Sequence, residues 1–187
     1  MKKIVLFASG SGTNAENIIR YFSDHNQIKV TAVFTNNPQA GVIERAQRLS
    51  VPTVIFTRAE LNSGVVLQQI HQLQPSLIVL AGFLWMFPQS ILADYTTINI
   101  HPALLPKYGG KGMFGHHVHQ AVLDHQETHT GITIHYVNEQ YDEGAIIFQK
   151  EVSIVDCTSV DEIAQKVHEL EYEYFPSVIE SVLKSVV

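Results

Sequence analysis

The chain has one cysteine, Cys157, so no disulfide can close within it, which suits a reducing compartment. Charge is sparse, at 16% of residues, and no block of like charge or low-complexity tract appears. With 45% apolar residues, that balance excludes a disordered chain and fits one domain over residues 1–187. The net charge is −6 with the ten histidines counted neutral, and no basic stripe is visible. A protein that holds nucleic acid by its phosphates would carry such a stripe, so nucleic acid is not an expected partner. Long hydrophobic runs are missing too. The longest, LIVLAGFLWMF at 77–87, stops far short of the ~20 residues a membrane helix needs. The start, MKKIVLFASG, runs into SGSGTN rather than a small-residue cleavage site, and does not read as a secretory leader. A cytoplasmic protein without membrane contact is the expectation.

What is present alternates. KIVLFAS (3–9), KVTAVFT (29–35), TVIF (53–56), SLIVLAG (76–82) and TTINIH (96–101) read as strands, rich in β-branched residues. The first, second and fourth are almost wholly apolar, as parallel strands covered on both faces are. Amphipathic segments near 13–24, 41–50 and 59–74, and a short one near 88–94, read as the intervening helices. A further helix is expected near 115–126, then strands at 131–137 and 145–154 joined by a short turn, which suggests antiparallel pairing at one edge. A last helix starts at Thr158 or Ser159, where Ser159 and Glu162 have capping-box spacing, and Pro176 is expected to kink or split it. The fold class is therefore α/β: a mostly parallel, Rossmann-like sheet with flanking helices and an antiparallel edge in the C-terminal third.

Three stretches can carry chemistry. In INIHPALLPKYGG (98–110), Asn99 and His101 point to the same face of a strand that Pro102 ends. They are either a satisfied polar pair in the core or two groups converging on a ligand at a strand exit. Ser9 to Asn14, SGSGTN, lies between a strand and a helix, where glycine lets the backbone approach an anion at a helix N-terminus. It lacks the Gly-Lys-Ser/Thr of a nucleotide-binding P-loop, and Ala15 stands where a dinucleotide fingerprint has its third glycine. A plain turn capped by Thr13 or Asn14 and a cradle for a single phosphate both remain open. LAGFLWMF (80–87) is core, or an apolar loop for a flat heteroaromatic ligand beyond a strand's carboxyl end. The acidic turn NEQYDEG (138–144) is a solvated turn, or the source of a carboxylate that holds His101. Histidines 116, 117, 119, 125, 129 and 135 crowd one region without the spacing of a metal motif, and no catalytic metal is expected.

Taken together, SGSGTN, LAGF at 80–83, NIHPALLPKY at 99–108, GITIHYV at 131–137 and YDEGAII at 141–147 resemble the phosphoribosylglycinamide formyltransferase family, folate-dependent enzymes of purine synthesis. The resemblance runs from about residue 3 to residue 180. It implies a catalytic group of Asn99, His101 and Asp142, and a phosphate site at Gly12, Thr13 and Asn14. It also implies Glu171 near the substrate amine. The cosubstrate 10-formyltetrahydrofolate would lie among Arg58, Leu84, Trp85, Met86, Phe87, Asn99, Asn138, Glu139, Gln140, Tyr141 and Asp142, and its partner substrate would be glycinamide ribonucleotide. Ala103 replaces the family's usual serine, Gly109 a proline and Trp85 a basic residue, while KGMFG at 111–115 looks like a short insertion.

The implied chemistry is attack of an amine on a formyl carbon through a tetrahedral, negatively charged centre. Asn99 would donate to that oxygen, and His101 as imidazolium would stabilise it and relay a proton. Asp142 would orient the ring and keep it charged. Water in place of the amine would make a formyltetrahydrofolate hydrolase, whose relatives carry an added N-terminal regulatory domain. Methionyl-tRNA formyltransferase would need a further C-terminal domain and more positive charge. A catalytically silent folate- or nucleotide-binding module is the alternative from another class.

Overall fold

A computed structural model describes residues 1–185. Along β1 (Lys2–Phe7), Ile4 and Leu6 face one side of a sheet and Val5 and Phe7 the other, and all four are buried. Each side chain removed from water in this way contributes about 1.5–3 kcal/mol. The two faces therefore need separate covers. The Ile4 and Leu6 face is covered by α1 (Thr13–Phe22), α2 (Gly41–Arg48) and a long C-terminal helix. Helix α1 buries Ala15, Ile18, Ile19 and Phe22, the spacing of one helical face. On the other side Phe7 stacks on Phe34 at 5.0 Å between ring centroids and meets Phe83 and Phe87 edge-on at 5.4 and 5.0 Å.

The remaining elements follow in chain order. They are β2 (Ile28–Thr35), β3 (Thr53–Ile55), α3 (Arg58–Ser63), α4 (Val65–Leu73), β4 (Leu77–Leu80), α5 (Gln89–Leu92), β5 (Thr97–His101), α6 (His116–Asp124), β6 (His129–Tyr136), β7 (Ile146–Ser153) and α7 (Val160–Ser185). The seven strands form one sheet in the order β3-β2-β1-β4-β5-β6-β7. Pairings are parallel from β3 across to β5, and β6 is antiparallel to both β5 and β7. Strand order reverses between β1 and β4, so the loops after these two strands diverge and open a crevice at their carboxyl ends. The main-chain bonds Ala81 N to Phe7 O and Ser9 N to Gly82 O hold the two loops at their base.

Two local expectations change. The helix expected over 59–74 is two helices, because Gly64 adopts φ +88, ending α3 and starting α4. The last helix is not split at Pro176 but runs through it. A proline leaves the carbonyl four residues earlier without its helical donor. Here that carbonyl belongs to Tyr172, and Asn17 of α1 donates its side-chain N–H to it at 3.0 Å. A neighbouring helix thus supplies the bond that the ring removes. The start of α7 matches its reading, with Ser159 and Glu162 bonding each other's backbone N–H at 3.2 and 3.3 Å. No helix of the described residues is long and apolar enough to cross a membrane.

Candidate active site

The crevice opens into a cavity of about 550 Å³, within the range of small-molecule sites. One wall is the loop after β1. Gly12 takes φ +76, and a Cβ there would lie 2.4 Å from Val42, so both the conformation and the space demand glycine. Gly12, rather than Thr13 or Asn14, is the residue that caps α1, and no side chain caps the helix. The first-turn N–H groups therefore point outward as anion donors. Arg45 fixes this loop, donating to Ser11 O at 2.9 Å and pairing with Glu16.

The opposite wall is the segment after β4. Leu84 N–H donates to Ser9 Oγ at 3.1 Å, and Ser9 donates in turn to Asn36 at 2.7 Å, so both loops share one anchor. Leu84, Trp85, Met86 and Phe87 all line the cavity, with Leu84 and Met86 the more exposed. Arg58 does not line it. Its guanidinium lies 4.3 Å from the centre of the Trp85 ring, a cation–π contact. From the acidic turn, Asn138, Gln140, Tyr141 and Asp142 line the cavity and Glu139 does not.

Between these walls, β5 ends with Asn99 and His101 on one face. Asp142 reaches them from the turn after β6, its Oδ2 lying 3.5 Å from His101 Nδ1 and accepting the Gly110 N–H at 2.9 Å. The turn is held close because Gly144 packs directly on the end of β6, where a Cβ would lie 1.6 Å from Tyr136 O. The other nitrogen of His101, Nε2, donates to Tyr108 O at 2.7 Å, which places a proton on Nε2 and directs Nδ1 at the carboxylate. Burial pushes the His101 pKa down, and Asp142 and the Tyr108 carbonyl push it up without fully offsetting burial. The ring of the free protein is therefore held below the usual histidine range, not above it as a standing imidazolium requires. Burial pushes the Asp142 pKa up, but the facing His135 and His101 rings and the Gly110 N–H lower it by more, so its carboxyl lies below the usual carboxylate range.

His135 belongs to this group and is the main residue the sequence reading did not place there. It pairs directly across the sheet with Asn99. Its Nδ1 donates to Tyr136 O at 2.8 Å, so Nε2 is free to accept the Asn99 amide at 3.2 Å. Asp142 Oδ1 lies at 3.5 Å from the same nitrogen, the longer of the two contacts, and Asn99 is the partner the geometry favours. Asn99 is thus bonded to His135, and Asp142 lies in contact with both His135 and His101, with one Asn99 N–H left over. The sequence signals for His135 were GITIHYV and a place among the crowded histidines, and neither fixes its register against β5, which depends on long-range pairing.

Glu171, on α7, is buried in the cavity wall, with Asn14 and His168 both bonded to Oε2 at 2.8 Å. The Asn14 side chain is thus turned towards Glu171, while its backbone belongs to the first turn of α1. The hydrogen bond to Glu171 raises the His168 pKa. The loop at 111–115 contributes Met113 and Phe114 to the cavity wall. Among the described residues no group of three His, Cys, Asp or Glu side chains could hold a metal ion.

A mostly parallel α/β sheet with its cavity at the strands' carboxyl ends, lined by a glycine turn, an apolar segment and a cluster of Asn99, His101, His135 and Asp142, has the form of an α/β enzyme site. A formyl transferase family profile matches residues 2–179, and the chain belongs to that family. It is 35% identical to the phosphoribosylglycinamide formyltransferase of Bacillus subtilis over 98% of this chain and 95% of the relative. It is 32% identical to the Escherichia coli protein of the same name over 94% of this chain and 84% of the relative. The crystal structure of phosphoribosylglycinamide formyltransferase from Bacillus halodurans superposes with TM-score 0.88 at 30% identity, covering 100% of this chain and 97% of that one.

Proposed function

We propose that the protein transfers the formyl group of 10-formyltetrahydrofolate to the amine of N1-(5-phosphoribosyl)glycinamide, a step of purine synthesis. The observation that carries this reading is the placement of Asn99, His101 and Asp142 between a phosphate cradle and an apolar slot. The phosphate sits on the backbone N–H groups of Gly12, Thr13 and Asn14. The folate lies along Leu84 to Phe87 and the turn 138–142, with Arg58 acting through Trp85. Glu171 faces the amine end of the ribonucleotide. The single Cys157 suits a reducing compartment, and we place the reaction in the cytoplasm, with the whole chain as one catalytic domain.

The chemistry follows from the protonation pattern. The amine attacks the formyl carbon and the carbonyl oxygen gains negative charge. Asn99 donates its remaining N–H to that oxygen, a contact worth about 10²–10³ in rate. His101 starts neutral and accepts the proton that the amine loses. The imidazolium then stands beside Asp142, which stabilises it, and returns the proton to the departing folate nitrogen. Deformylation of 10-formyltetrahydrofolate, followed with and without the ribonucleotide, tests the reading. Turnover that requires the ribonucleotide is expected. Equal turnover without it would indicate the hydrolase, and none in either case a silent binding module.

A further inference from the structure

His119, on α6, takes no part in the scheme above, yet its ring is built into the same cavity wall. Its side chain is buried, and neither ring nitrogen has a hydrogen-bond partner among the described residues. Nδ1 is sealed from solvent, whereas Nε2 is not. A buried N–H without an acceptor is costlier than an underused lone pair, so the proton belongs on Nε2. The ring therefore presents one unsatisfied N–H to the cavity.

The groups that face this ring are Glu171 and His168 from α7, His116 from its own helix and His101 from β5. Burial dominates them and holds the His119 pKa down at about 4, so the ring is neutral over the working range of an enzyme at neutral pH. A neutral N–H donor suits an uncharged oxygen rather than a phosphate. The same corner is tied to the nucleotide loop, because Asn14 donates across it to Glu171 at 2.8 Å.

We propose that His119 donates its Nε2–H to an uncharged oxygen of the ribonucleotide substrate, either a ribose hydroxyl or the glycinamide carbonyl. The assignment rests on the transferase reading above and adds a specificity residue to it. Bound substrate would give Nε2–H the acceptor that no described protein group supplies, while the sealed Nδ1 stays an unpartnered lone pair.

The test compares wild-type enzyme with His119→Phe, varying ribonucleotide and formyl donor in turn, and records the melting midpoint of each protein without substrates. His119→Phe is expected to raise the ribonucleotide KM about fivefold to tenfold, with the larger part of any loss in KM rather than kcat. The formyl donor KM should stay within about twofold, and the variant should melt no lower than wild type, since it removes an unsatisfied nitrogen. His119→Gln, whose amide nitrogen reaches about as far as Nε2, should recover much of the KM, whereas the shorter His119→Asn should not. That pair carries the comparison if the Phe variant folds poorly. Competition by ribose 5-phosphate separates the two acceptors. Weaker inhibition of the variant assigns the ribose hydroxyl, and unchanged inhibition beside a raised KM assigns the carbonyl. An unchanged ribonucleotide KM in an otherwise active series overturns the inference alone. Wild-type protein without ribonucleotide-dependent turnover overturns the functional reading, and the inference with it.

Discussion

At the scale of single residues, binding and chemistry divide between the two sides of the cavity. Beside its backbone N–H, the Thr13 hydroxyl would give the phosphate a side-chain donor in ground and transition states alike, so Thr13→Ala is expected to raise the ribonucleotide KM with little change in kcat. Asn99→Ala should instead lower kcat by about two orders of magnitude, because the charge it serves exists only in the transition state. Steady-state kinetics of both variants check the division, and the same pattern in each would contradict it. Asp142 raises a pKa that burial depresses. Asp142→Asn removes that charge at nearly constant size, so the His101 midpoint should move further down in an NMR titration. Because the neutral ring is the form that accepts the proton, the acid limb of kcat/KM should shift to lower pH. A pH-independent loss from the destabilised imidazolium should accompany it. An unmoved His101 midpoint would leave Asp142 an ordinary turn residue.

Among the secondary-structure elements, the acidic turn depends on a glycine that cannot be replaced quietly. Gly144 lets the turn lie against β6, and Gly144→Ala would drive a methyl group into Tyr136 O. The turn must lift, carrying Asp142 from His101. We expect kcat to fall at least about tenfold, with the fold retained by circular dichroism. Glu143→Ala, an exposed change in the same turn, serves as the control and should leave kcat nearly unchanged. The strands, the alternation and the Asn99–His101 pair were legible in sequence because they are local: period, β-branching and one proline specify them. His135 was not, because its place opposite Asn99 is set by the pairing of β5 with β6. Gly64 and Pro176 misled in opposite directions. A glycine inside an apolar period broke a helix, and a proline inside another was tolerated through Asn17, a partner 155 residues from the carbonyl it serves.

For the whole molecule, the buried histidines tie stability to pH. His119 is held at about 4 in the folded protein, against about 6.5 for an unfolded chain. Below about 6.5 the unfolded state binds the extra proton, so folding stability should fall as pH drops from there towards 4. His101, also depressed, acts in the same direction. His168, raised by Glu171, acts oppositely, losing its contribution as pH rises through its folded pKa. Urea unfolding across this range should show a shallower acid decline in His119→Phe than in wild type. Identical slopes would mean that His119 is not buried as a neutral ring. The core beneath the site sets the other limit. Phe7 is fully buried against four aromatic rings, and Phe7→Ala is expected to cost about 3–5 kcal/mol.

If one cavity passes a formyl carbon from folate nitrogen to a ribonucleotide amine with His101 as the proton carrier, the transferred carbon can be followed directly. The most direct measurement follows an isotope-labelled formyl carbon by NMR in a mixture of donor, glycinamide ribonucleotide and enzyme, beside the same mixture with His101→Ala. The label should appear in the formamide of the ribonucleotide with wild-type protein, and at a rate lower by at least about two orders of magnitude with the variant. Label released as free formate, or transferred equally well without His101, would contradict that mechanism.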